Sequence, residues 1–130
     1  MPIKTKRVYS PIDRENDGLR ILATRYRGRG MRKSRYDVWM ASLGPSEKLL
    51  RQRRSGQISA ARFKTLYRRE ILGSDERDVK NPGMKNRSQK FTLRLLRKFS
   101  HGRDITIMCH CDEDEKNCHR FVLRDLIRRA

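Results

Sequence analysis

The five residues Asp104 to Met108, DITIM, constrain the chain more than any other stretch. A short apolar run of this kind suits a strand at the centre of a sheet. Around it lies a sequence of 130 residues that is 37% charged and 35% hydrophobic, so the core is small and the surface crowded with charge. That length predicts one domain over residues 1–130, able to bury roughly two-thirds of the surface its unfolded chain exposes.

The other elements follow from local signals. Lys6 to Ser10 reads as a strand ending at Pro11, Asp13 to Gly18 as a turn, and Leu19 to Arg25 as a second strand. A loop from Tyr26 to Arg35 leads to a helical turn around Val38, Trp39 and Leu43. Pro45 is expected in the first turn of a helix that runs to Arg54 and stops at Gly56. Ser59 caps the next helix, with Ile58 stapled to Phe63 and an apolar stripe of Phe63, Leu66, Tyr67 and Ile71 ending at Gly73. Ser74 to Asn86 is a polar connection with a Pro-Gly turn. Ser88 then opens a third helix with Phe91, Leu95, Leu96 and Phe99 on one face, capped by Gly102. A last helix spans Cys118 to Arg129, with His119, Val122, Leu123, Leu126 and Ile127 inward and Arg120, Arg124 and Arg128 in an outward row. Strands interleaved with helices predict an α/β class: a small, mainly parallel short sheet flanked by helices in a single compact domain.

Charge narrows the partners. Lys and Arg number 33 against 15 Asp and Glu, a formal net charge of +18. A field of that sign attracts polyanions, so nucleic acid or another phosphate-bearing ligand is the expected partner. No apolar run reaches the length of a membrane span, and the opening MPIKTKRVYS lacks the apolar middle of a signal peptide. The expectation is a cytoplasmic protein without a membrane partner. The three cysteines are odd in number and clustered, which argues against a disulfide-stapled scaffold.

All three cysteines fall in MCHCDEDEKNCHR, Met108 to Arg120. Side chains two apart in a strand share a face, so Cys109 and Cys111 point one way and His110 the other. Three readings stay open. Cys109, Cys111, Cys118 and His119 converge on one structural zinc, a permitted donor set at an unfamiliar spacing. Alternatively, Cys118 or Cys109 is a nucleophile and His119 a general acid/base, since a helix N-terminus flanked by cations favours a thiolate. Or the cysteines are plain buried residues, with His119 bonded to a backbone carbonyl and Arg120 paired with the acids that follow Cys111. A cysteine-phosphatase loop is rejected, because Asp112, Glu113, Asp114 and Glu115 would repel phosphate.

The stretch TRYRGRGMRKSR supplies the complementary chemistry. Its glycines let backbone approach a ligand, and its guanidiniums grip phosphate in a two-pronged way. Open α/β sheets bind ligands beyond the carboxyl ends of their strands. If Leu19–Thr24 and Asp104–Met108 run parallel, this loop and the Cys-His-Arg stretch face each other across one crevice. Arg25, Arg27, Arg29 and Arg32 then bind phosphate or nucleic acid with Tyr9 and Tyr26 as stacking or hydroxyl partners, and Arg120 binds it from the opposite wall beside His119.

VYSPIDRENDGLRILATRYRGRG and LGPS resemble the YeaO-like branch of the domain-of-unknown-function 488 family across nearly the whole chain. The closing Cys109…Cys118-His119-Arg120 is similar to the wider family's ending. In the branch's usual loop an Asp, a Trp and a Pro stand where this chain has Thr24, Arg27 and Gly28. The resemblance implies a small α/β fold with helices on a short sheet, and it brings no established reaction. It also singles out Cys109 and Cys118 and leaves Cys111 as the bystander.

Overall fold

A computed structural model describes residues 3–73, 89–111 and 115–130. The expected polar connection from Ser74 to Asn86, the helix opening at Ser88 and the acids Asp112 to Asp114 lie outside those residues. Ile105–Cys109 forms β4, buried at every position. Ile3–Arg7 (β1) and Leu19–Leu22 (β2) pair with it on either side, and Val38–Trp39 (β3) joins the free edge of β2. The order is β1-β4-β2-β3 and every pairing is parallel. DITIM is therefore central, with Ile105 aligned between Ile3 and Leu19. Ile105 and Ile107 are fully buried, each contributing about 1.5–3 kcal/mol of transfer free energy.

The two faces of the sheet are covered differently. Ile21, Ile105 and Ile107 join a core with side chains from α1 (Glu47–Arg54), α2 (Ala60–Leu72), α3 (Lys90–Ser100) and α4 (His119–Arg129). Leu22 and Met108 point the other way and pack with Val8 and Met31, so the arginine-rich loop itself roofs that face. The Asp13 to Gly18 turn ties β1 to β4. Buried Asp17 pairs with Lys6 Nζ at 3.0 Å and accepts from the Asp13 N–H, while its carbonyl takes the buried Thr106 hydroxyl. Gly18 has φ +62°, and a Cβ there would lie 2.1 Å from the Asp104 carbonyl oxygen.

Helix starts follow the sequence closely. Ser46 and Ser59 cap α1 and α2, accepting from Leu49 N–H and Arg62 N–H. Ile58 packs on the main core, and Gly73, at φ +63°, ends α2. Pro45 precedes the cap and is not in the first turn.

Four expectations are corrected. The first strand is Ile3–Arg7 rather than Lys6 to Ser10, because Ile3 rather than Tyr9 is the apolar partner of Ile105. The second ends at Leu22, beyond which Ala23 N–H still reaches the Met108 carbonyl. Val38 and Trp39 form a strand because the edge of β2 offers backbone partners. Asp37 N–H bonds the Arg20 carbonyl and Met40 N–H the Leu22 carbonyl, with a 3-10 turn over Ala41–Leu43 following. On α3 the buried residues are Leu93, Leu96 and Ser100, whereas Phe91, Leu95 and Phe99 are exposed. Two apolar rows share this helix, and guanidiniums of Arg94 and Arg103 cover Phe91 and Phe99 at 5.5 and 6.0 Å.

Candidate functional site

Because β2 and β4 run parallel, their carboxyl ends open onto one rim. A cavity of about 280 Å³ lies there. Thr24, Arg25 and Tyr26 leave β2 to form one wall, and Arg53 and Arg54 at the end of α1 form another. Cys109, His110 and Cys111 leave β4, and Cys118 and His119 begin α4 across from them. A cavity does lie between the start of the β2 loop and the Cys-His stretch, but of the expected arginine loop it takes only Thr24 to Tyr26. His110 Nε2 donates to the Tyr26 carbonyl at 3.1 Å, and a Cβ on Gly28 (φ +94°) would press within 3.0 Å of the His110 ring.

The expected residues divide. Arg25, Cys109, Cys111, Cys118 and His119 line the cavity; Arg27, Arg29, Arg32, Tyr9 and Arg120 do not. Arg29 and Arg32 are exposed on the roofing loop and Arg27 is half-buried there. Tyr9 stands behind, its ring 6.1 Å from that of His110 and capped by the Arg7 guanidinium. Arg25 spends Nε on the Pro45 carbonyl and Nη2 on the Gly44 carbonyl, both at 3.0 Å. Gly44 is needed for that closeness: a Cβ there would sit 2.3 Å from the Arg25 backbone nitrogen. Sequence reasoning missed Arg53 and Arg54. Their only signal was a run of cations in the last turn of a helix, which the helix dipole explains by itself.

Arg120 is the main correction at the site. It belongs to no outward row but is 0% exposed, with Nη1 donating to Cys109 Sγ at 2.9 Å and to the Cys111 carbonyl at 3.1 Å. Arg124 is half-buried and Arg128 exposed. A side chain in the first turn of a helix leans back past its N-terminus, which carries Arg120 toward the end of β4.

The three sulfurs converge. Cys109 Sγ and Cys118 Sγ are 2.8 Å apart, and all three Sγ atoms lie within 4.8 Å of one another. Cys109 and Cys118 are buried and Cys111 is exposed, so the expected bystander turns its sulfur to the other two. Hydrogen bonds from Cys109 and Cys118 pull the Cys111 thiol well down, against burial and with help from His119 and Arg120. The same bonds push Cys109 up, through Cys111 first, and push Cys118 up, through Cys109 first. Within the group, Cys111 is the thiol favoured toward ionisation, and Cys109 and Cys118 are favoured toward their protonated forms. His119 Nε2 bonds the Ala23 carbonyl at 2.5 Å, and a carbonyl only accepts, so Nε2 carries the proton. Its Nδ1 then faces Cys118 Sγ at 3.8 Å. Burial is the first cause lowering the His119 pKa, which keeps the ring neutral. The arrangement offers a thiol favoured toward ionisation, a buried imidazole and a three-sulfur donor set beside arginines.

Fold and site define a small all-parallel α/β domain with a thiol-floored cleft at the carboxyl rim of its sheet. The chain belongs to the domain-of-unknown-function 488 family: the family model described as the active DUF488-N3 subclade matches residues 3–130. No curated protein and no solved structure matches the chain. Among the described residues no helix is long and apolar enough to cross a membrane.

Proposed function

We propose that the cleft binds a phosphate-bearing ligand, nucleic acid first among them, in a cytoplasmic setting that keeps its thiols reduced. The observation that carries this reading is the meeting of Arg25, Arg53 and Arg54 at the carboxyl rim of a parallel sheet, in a chain of net charge +18. Arg53 and Arg54 supply the grip, since Arg25 is largely committed to backbone carbonyls. The exposed Arg29 and Arg32 extend the basic path along the adjoining loop. Contacts of this kind read the sugar-phosphate backbone and not the bases. Less supports a Cys118–His119 catalytic pair, because Cys118 is buried and its hydrogen bond with Cys109 pushes its thiol pKa up.

Fluorescence anisotropy with a short single-stranded oligonucleotide tests the proposal. Binding should tighten at low salt and fall steeply as salt rises. Changing Arg53 and Arg54 together to Ala should weaken it about tenfold or more and flatten the salt slope by roughly one to two counterions. Wild-type binding that ignores salt, or a double variant that binds like wild type, would overturn the cleft as the site.

A further inference from the structure

We propose that Cys109, Cys111 and Cys118 together hold one zinc ion whose fourth coordination place opens into the cleft. This goes beyond the anion reading and stands without it. The three donors come from separate places in the fold: the last residue of β4, the chain two residues on, and the cap position of α4. Yet their sulfurs lie within 4.8 Å of one another. Zinc–sulfur bonds of about 2.3 Å in a tetrahedron set sulfurs roughly 3.8 Å apart. Two buried sulfurs now 2.8 Å apart need separate by only about 1 Å to admit the ion, a small side-chain rotation.

A thiolate set of this softness selects zinc over magnesium or calcium, which take oxygen ligands. Three thiolates and a divalent cation leave one negative charge, and the Arg120 guanidinium is already in place against it. Its bonds to Cys109 Sγ and the Cys111 carbonyl orient two of the three ligand-bearing residues, as outer partners of metal sites do.

His119 is not the fourth ligand in this geometry. Its Nδ1 faces Cys118 Sγ, but among the described residues the set of mutually close donor atoms is the three sulfurs. Where the sequence suggests His119 as a fourth ligand beside the three cysteines, the site proposed here takes the three cysteines of the described residues and leaves the fourth place open. All three cysteines line the cavity, so that place faces the space where a ligand would lie. Three protein ligands with one exchangeable position is the pattern of zinc sites that do chemistry, whereas structural sites are closed. Water fills the position at rest, and a phosphoryl oxygen is the chemical class that would replace it.

The test uses the full chain expressed with added zinc and purified anaerobically under reductant. Elemental analysis should find about one zinc per chain. Cobalt replacement should give the thiolate-to-metal charge-transfer band and the visible bands of a tetrahedral site, and azide or inorganic phosphate should shift those visible bands. Cys111→Ser, at an exposed position that leaves the fold intact by circular dichroism, should lose zinc to a chelator at least tenfold faster. The Arg53→Ala, Arg54→Ala double variant should keep its full zinc even where oligonucleotide binding is lost, which separates this inference from the anion reading. Zinc far below one per chain, equal retention in Cys111→Ser, or a Cys109–Cys118 disulfide under these conditions would overturn the site. Cobalt bands indifferent to both anions would overturn its open position.

Discussion

Arg120 shows how one side chain can escape a helical pattern. By spacing it belongs with Arg124 and Arg128, and nothing local in the sequence separates it from them. It is fully buried because it sits in the first turn of α4, where its length reaches the sulfurs at the end of β4. Burying a guanidinium is costly, and the two bonds from Nη1 to the Cys109 sulfur and the Cys111 carbonyl offset part of that cost. Arg120→Met, close in volume and unable to donate, leaves the Cys109 sulfur and the Cys111 carbonyl without this donor and should lower stability by about 1–3 kcal/mol in urea unfolding. A loss like that of a surface arginine would mean the contacts to Cys109 and Cys111 do no work. The cysteines illustrate the same limit. Spacing made Cys109 and Cys111 share a face, but that the Cys118 sulfur lies with both has no signal in composition. His119, by contrast, was legible as inward from its distance to Val122 and Leu123.

Elements were more legible than side chains. DITIM was readable as the central strand, and the serine caps of α1 and α2 fixed two helix starts. Two features were not readable. On α3, Leu96 belongs to both apolar rows, so periodicity could not say whether the Phe91 row or the Leu93 row would face the core. The two residues of β3 have no pattern of their own; they become a strand because Arg20 on β2 fastens Asp37. The Asp37 carboxylate accepts from the Arg20 N–H at 2.8 Å and from its guanidinium at 3.1 Å. Burial raises the Asp37 pKa, but the hydrogen bonds and charge of Arg20 outweigh it and leave the carboxyl below its ordinary 3.8. A lowered folded pKa contributes stability that is present above the unfolded value and lost as pH falls through the folded one. Acid should therefore loosen this edge below about pH 4. Trp39, the chain's one tryptophan, donates to the Thr24 carbonyl at 2.8 Å and will report it by fluorescence. Asp37→Asn should show the loosened signal already at neutral pH, with the acid step gone. Identical acid profiles in the two proteins would remove Asp37 as the fastener.

At the scale of the whole molecule, parallel strands with interleaved helices were predictable, and so was a cavity at the carboxyl rim, though only the first residues of the arginine loop enter it. What composition could not convey is that the arginine loop has a second task. Through Met31 it roofs the far face of the sheet, so several of its cations are displayed outside the cleft while α1 supplies those within. The strand order carries a further prediction. β1 and β2 each pair with β4 and not with each other, although both precede it in the chain. A chain cut after Arg103 should have no cooperative melt and little ordered circular dichroism, and a sharp transition in that fragment would contradict the assembly. On the ribosome, then, the keystone is made after the stones it locks. β1 and β2 have no strand to bind them together until residues 105–109 are made to close the arch.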